Sequence, residues 1–195
     1  MDSINNICKT FKVLKEMLID QGRDITRLNH ISEVELQALH RNMSSDIFEV
    51  LVNDNTKILY YMNNKFRIVE LRKFIQPQDN ENITNIILIF KEKINNFNSK
   101  NIDEFNGINL QVFLIKELLF NISKHRLVPK HEVIKDVIVI DELVKTYNLK
   151  SKLQFPIILK TDPMAKYLNV QSGDLVKIVR ISPSSGESML YRCCV

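Results

Sequence analysis

The chain has 195 residues, of which 45% are hydrophobic, and a formal charge of +4. That suffices for one large domain or two small ones, burying about 70% of the unfolded surface. Apolar runs such as Ile86–Phe90 are too short to cross a bilayer, MDSINN lacks the basic and apolar regions of a signal peptide, and Cys8, Cys193 and Cys194 follow no disulfide or metal spacing. The expectation is a soluble intracellular protein in a reducing compartment. The charge is uneven. From Phe120 onward roughly 12 Lys/Arg stand against 7 Asp/Glu, while the preceding residues hold about 15 against 16. A basic carboxy-terminal part suits an acidic neighbour, protein or nucleic acid, and equally an ordinary solvated face.

Ile4, Ile7, Phe11, Leu14 and Leu18 recur at helical spacing, predicting a helix over 3–21 that ends at Gly22. A second helix is predicted over Ser32–Arg41, with Ser32 as its cap and Glu35 completing a capping box. The period then changes. Ile47–Val52, Lys57–Met62 and Ile83–Phe90 read as strands, with a short helix at Val69–Ile75. Pro77–Asn82 and Asn95–Asn109 read as polar loops, and Leu110–Leu119 fits either a strand or a helix. An α/β domain over 1–119 and a second domain over 120–195 follow, with no Gly- or Pro-rich linker between them.

The last third carries the most information. Asp162 is placed to cap a helix begun by Pro163, whose missing N–H costs nothing at that position. Met164, Ala165, Tyr167 and Leu168 give a short amphipathic helix, and Asn169 with Ser172-Gly173-Asp174 turns the chain. Leu175–Ile181 then reads as a strand, Ser182–Glu187 as a loop and Ser188–Cys194 as a return strand, with Cys193 and Cys194 on opposite faces. No nucleophile, acid or metal set lies in this helix and hairpin.

HRLVPKH at His125–His131, the DP-x-A-x-Y helix start, GDLVKIVR and SGES…YR together resemble the assembly domain of the fifth common subunit of eukaryotic nuclear RNA polymerases, a domain shared with a shorter archaeal counterpart. Phe11–Met17 and Asp20-Gln21-Gly22 resemble the first helix of the longer eukaryotic form, which adds an amino-terminal jaw domain. The resemblance implies a mixed α+β fold: a jaw domain with a mixed sheet and flanking helices, then a small assembly domain ending in a β-hairpin. It implies a non-catalytic polymerase subunit that docks on the largest subunit and forms part of the jaw near downstream double-stranded DNA, with no cofactor of its own. The contact residues it implies are His125, Val128, Pro129 and His131 from the first motif. Asp162, Pro163 and Tyr167 come from the helix, Gly173, Asp174, Lys177 and Arg180 from the turn and strand, and Gly186, Tyr191 and Arg192 from the return.

Three departures stand out. The family has glycine where this chain has Asn169, and a basic residue where it has Ile157; Ile157 and Ile158 are expected to enlarge an apolar interface instead. The jaw domain looks shortened between Lys93 and Leu119. The Ile- and Asn-rich, Gly-poor composition fits AT-rich coding, in a eukaryote or in a large DNA virus with its own polymerase. The location expected is accordingly the nucleus, or a cytoplasmic viral factory or the virion.

Rival chemistries find little support in the residues. The family's jaw domain resembles restriction-type nucleases, which need a carboxylate two residues before a lysine to hold Mg²⁺ and orient water. No lysine here has Asp or Glu at that position. His125 and His131 lack metal-ligand partners at compact spacing, even with Glu132 and Asp136 nearby. Lys177, Arg180 and Arg192 suit either acidic groups of a larger subunit or phosphates. Alternation puts Lys177 and Arg180 on opposite faces, and no ladder of aromatics offers base stacking. A nuclease-like enzyme and a free-standing DNA-binding transcription module are the alternatives.

Overall fold

The computed structural model describes residues 2–41, 47–63, 68–75, 83–93, 107–182 and 186–195. The chain divides into two compact units, Met1–Phe120 and Asn121–Val195. Each contains a four-stranded mixed sheet, so the fold is α+β, as expected.

In the first unit, α1 spans Asp2–Asp20 and buries Ile7, Phe11, Leu14, Met17 and Leu18. Its end closes as a Schellman motif: Gly22, at φ +72, donates to Ile19 O, and Arg23 donates to Leu18 O. α2 (Thr26–His30) follows a turn in which Asp24 Oδ1 accepts the Thr26 N–H at 2.9 Å. α3 (Glu33–Arg41) carries the predicted capping box. Ser32 donates its N–H to Glu35 Oε2 at 2.7 Å, and Glu35 donates its N–H to Ser32 Oγ at 3.2 Å.

The sheet runs β1 (Ile47–Asn53), β2 (Thr56–Tyr61), β3 (Asn85–Phe90) and β4 (Asn109–Leu114) in that spatial order. β1 and β2 form an antiparallel hairpin, and β2–β3 and β3–β4 are parallel. Central parallel strands are covered on both faces, which explains why TKILYY and IILIF are buried almost end to end. Leu59, Tyr61, Ile86, Leu88 and Phe90 pack on one face with Phe74 of α4 (Ile68–Ile75). On the other face the Tyr60 ring stacks on Phe48, and its hydroxyl lies 3.5 Å from Thr10 Oγ1 of α1. Arg23 joins the starts of two strands through Thr56 Oγ1 and Asn85 Oδ1. The ambiguous Leu110–Leu119 segment is neither one thing nor the other: β4 ends at Leu114 and a 3₁₀ turn covers Ile115–Leu118. The expected loop at Pro77–Asn82, and most of that at Asn95–Asn109, lie outside the described residues; Asn109 itself begins β4.

The second unit has β5 (Lys130–Ile134), β6 (Ile157–Ile158), β7 (Leu175–Ser182) and β8 (Gly186–Cys194), in the spatial order β5-β7-β8-β6. The return strand starts at Gly186, two residues before the expected start, because Ile181 still pairs with Glu187 and Ser182 with Gly186. α5 (Val137–Thr146) covers one sheet face, over Leu175 and Cys193. α6 (Pro163–Tyr167) covers the other, over Val176, Ile178 and Cys194. The adjacent cysteines therefore enter two different cores, as the alternation requires.

Burial raises the pKa of all three thiols, desolvation being the largest cause, so their thiolate fraction at neutral pH falls. Iodoacetamide at neutral pH is expected to leave Cys8, Cys193 and Cys194 unlabelled in the native chain and to label all three in denaturant. Mass spectrometry reads the result, and rapid native labelling of Cys193 or Cys194 would contradict this packing.

Candidate docking surface of the carboxy-terminal unit

The residues singled out by sequence fall into two groups. The first builds the frame. Asp162 Oδ1 accepts the N–H groups of Met164 and Ala165 at 2.8 and 3.4 Å, with Pro163 at the first helical position. Tyr167 is buried, its hydroxyl 3.4 Å from Ser123 Oγ, and so offers a partner no surface. Its place is inside the unit, where it ties α6 to the 3₁₀ turn at Ile122–Lys124.

Gly173 lies at φ +90, accepts Lys152 Nζ on its carbonyl at 2.7 Å and donates its N–H to Cys194 O. Asp174 accepts the Gln171 N–H on Oδ2 at 3.0 Å and the Cys194 N–H on its backbone carbonyl at 2.9 Å. Gly186, at φ +70 with open space where a Cβ would stand, opens β8.

Asn169 takes the left-handed conformation expected of it, at φ +54. It is the turning residue of a second Schellman motif. Asn169 donates to Lys166 O and Val170 to Ala165 O, and Val170 and Ala165 share a core. The Asn169 side chain adds something glycine lacks, since its Oδ1 accepts Gln171 Nε2 at 2.8 Å.

The second group lies at the surface, and the register separates it. His131 pairs with Ile178, Arg180 with Ser188 and Arg192 with Val176, all on the α6 face. Lys177 and Tyr191 are opposite each other on the α5 face. Lys177 Nζ lies 3.8 Å from Glu132 Oε2, and Lys130 Nζ lies 2.6 Å from Glu132 Oε1. The neighbouring Lys130, chiefly through its hydrogen bond, holds the Glu132 carboxyl below its usual range. Tyr191 packs edge-on against Tyr147 and tilted on Phe155. Arg192 Nη1 donates to Ile157 O at 3.0 Å. Arg180 is exposed, and its guanidinium makes no hydrogen bond or ion pair with a described residue.

Upstream, HRLVPKH forms a tight turn in which Val128 donates to His125 O and Leu127 donates to His125 Nδ1 at 3.2 Å. His131 Nδ1 lies 2.7 Å from Pro129 O. The histidines thus shape the segment around Val128 and Pro129 and lift Leu127, 76% exposed, into solvent. No group of three or more His, Cys, Asp or Glu among the described residues could hold a metal ion.

Sequence reasoning missed much of the apolar surface. Leu127, Val137, Ile138, Leu153, Ile181 and Met189 are all exposed. It also overstated one residue. Ile158 is buried beside Val176 and Cys194, so Ile157 alone remains to widen an apolar interface. Parallel pairing fixes this outcome, because neighbours on β6 point to opposite faces.

The unit holds no cluster of metal-ligating groups among the described residues, and its surface keeps large apolar side chains of the kind found at protein contacts. Residues 120–194 match the family described as RNA polymerase Rpb5, C-terminal domain. The chain is 29% identical over 201 residues, the whole of both chains, to "DNA-directed RNA polymerases I, II, and III subunit rpabc1" of Dictyostelium discoideum. It is 30% identical over 165 residues to the RPABC1 subunit of Caenorhabditis briggsae, covering 84% of this chain and 74% of that one. It is also 34% identical over 113 residues to "DNA-directed RNA polymerases IV and V subunit 5B" of Arabidopsis thaliana, covering 58% and 50%. The chain belongs to the Rpb5 family of RNA polymerase subunits.

Two substitutions test the frame. Asp162→Ala is expected to lower unfolding free energy by about 1 kcal/mol through loss of the cap. Asn169→Gly is expected to stay within about 0.5 kcal/mol of the parent, while Asn169→Val costs roughly 1–2 kcal/mol because a β-branched residue resists positive φ. Urea unfolding of each variant reads these differences, and equal stability of Asn169→Val and the parent would refute the left-handed assignment.

Proposed function

We propose that this chain is a non-catalytic subunit of a DNA-directed RNA polymerase, whose carboxy-terminal unit docks on the largest subunit. Its amino-terminal unit forms part of the jaw beside downstream DNA. One observation carries the reading: the family match at 120–194 falls on the unit that exposes Leu127, Ile138, Ile181 and Met189, together with an Arg180 side chain that has no partner among the described residues. Cations beside exposed apolar side chains suit an acidic, apolar partner surface, where desolvated contacts hold and charges set the register. The family relationship supports the remainder, including the first unit's place at the jaw. The chain works wherever its polymerase transcribes: the nucleus for a cellular enzyme, a cytoplasmic factory or the virion for a viral one.

Affinity purification of the tagged chain with identification of its partners tests this directly. Recovery of the two large polymerase subunits is expected, and their absence would overturn the proposal. Arg180→Glu combined with Arg192→Glu is expected to reduce recovery at least tenfold, a loss of about 1.4 kcal/mol or more. The nuclease alternative requires Mg²⁺-dependent cleavage by the purified chain, and none is expected. A free-standing DNA-binding module requires tight, steeply salt-dependent binding by the chain alone, where weak binding is expected.

A further inference from the structure

The carboxy-terminal sheet has two outer edges, and the chain treats them differently. β5 is five residues long and carries the Lys130–Glu132 ion pair, with Lys177 alongside. Charged side chains of this kind discourage a further strand. The outer edge of β8 is longer and carries charges only near its ends, at Glu187 and Arg192. β6 pairs with it only at Cys193 and Cys194, since Pro156 has no N–H to continue the ladder. Cys193 donates its N–H outward to Pro156 O, which fixes the alternation along the strand. The N–H and C=O groups of Glu187, Met189 and Tyr191 therefore also point outward, and none has a partner among the described residues. Six residues, Gly186–Tyr191, form an open edge about 20 Å long.

The side chains flanking this edge are sorted by face. Arg180 and Arg192 lie on one face, on either side of Leu190, and small Ser188 stands directly opposite Arg180. Met189, half exposed, and Tyr191 lie on the other face. A strand added here meets Arg180 and Arg192 on one side, and Met189 and Tyr191, with the Glu187 carboxylate near the start, on the other. A long, partly apolar edge without bulge or proline normally invites aggregation unless something pairs with it.

We infer that the outer edge of β8 is completed, in the assembled polymerase, by an extended segment of the largest subunit. That segment carries carboxylates four residues apart, facing Arg180 and Arg192, and apolar side chains on the alternate positions. Backbone hydrogen bonds from Glu187, Met189 and Tyr191 give the affinity, and the two faces give the register. This inference rests on the docking reading above and specifies its mode.

Hydrogen–deuterium exchange on the full chain, free and within the purified polymerase, tests it. The peptide spanning 187–192 is expected to gain at least tenfold protection on assembly, while the peptide spanning 130–134 gains less. Met189→Pro, which removes one outward N–H, is expected to reduce recovery with the polymerase at least tenfold, while Met189→Ala stays within threefold. Circular dichroism of the free variants shows that both are folded, and the exchange measurement needs no variant. Recovery with the polymerase but an unprotected 187–192 segment overturns the strand addition and leaves docking intact. Failure to recover the polymerase at all overturns docking itself. A free chain already dimeric and protected at this edge assigns the edge to a second copy and overturns the inference.

Discussion

The carboxy-terminal unit depends on the pairing of β7 with β8. Leu175 meets Cys193 in one core, and the next residues along each strand, Val176 and Cys194, enter the other, so one step along the hairpin serves both cores of the unit. The end of that hairpin is fixed by two reciprocal backbone bonds. Gly173 donates to Cys194 O and Cys194 donates to Asp174 O, each at 2.9 Å. Only a residue at ease with φ near +90 delivers both groups to the strand from so short a turn. A slip of one residue would turn every side chain of the slipped strand to the opposite face, which is why the register is so strongly specified.

Elements with a local chemical cause were legible in the sequence. The Ser32/Glu35 box, the Asp162-Pro163 start, the Gly22 stop and the φ of Asn169 each follow from a few neighbouring residues, and each stands as expected. α5 was not legible, because Val137-Ile138-Val139-Ile140 carries strand propensity. Its signals were the Asp136 cap, whose Oδ1 accepts the Ile138 N–H, and its stop at Asn148. α2 is too short to show a period, and only the Asp24–Thr26 turn announces it. β5 and β6 were unreadable for a different reason. Each is defined by a distant partner, β7 in one case and the last residues of β8 in the other.

The same split applies to the site. Sequence motifs found the residues that shape backbone: His125, Pro129, Asp162, Gly173 and Gly186 all work through turns, caps or carbonyls. They did not find most of the apolar surface, because exposure is a tertiary property and Leu127 or Met189 reads like any core residue in one dimension. Ile158 shows the converse error: an apolar pair beside a proline suggests a surface patch until pairing turns one member inward.

Asparagine takes a left-handed conformation twice in this unit. Asn148 and Asn169 both stand at positive φ, and both end helices in Schellman motifs. At the first, Leu149 donates to Val144 O and both side chains enter the α5 core; at the second, Val170 and Ala165 do the same beneath α6. A hydrophobic contact across the motif accompanies the left-handed residue at each helix stop. A chain with only four glycines can therefore still end its helices in left-handed turns. All four, Gly22, Gly107, Gly173 and Gly186, stand at φ between +70 and +90, where other residues are strained.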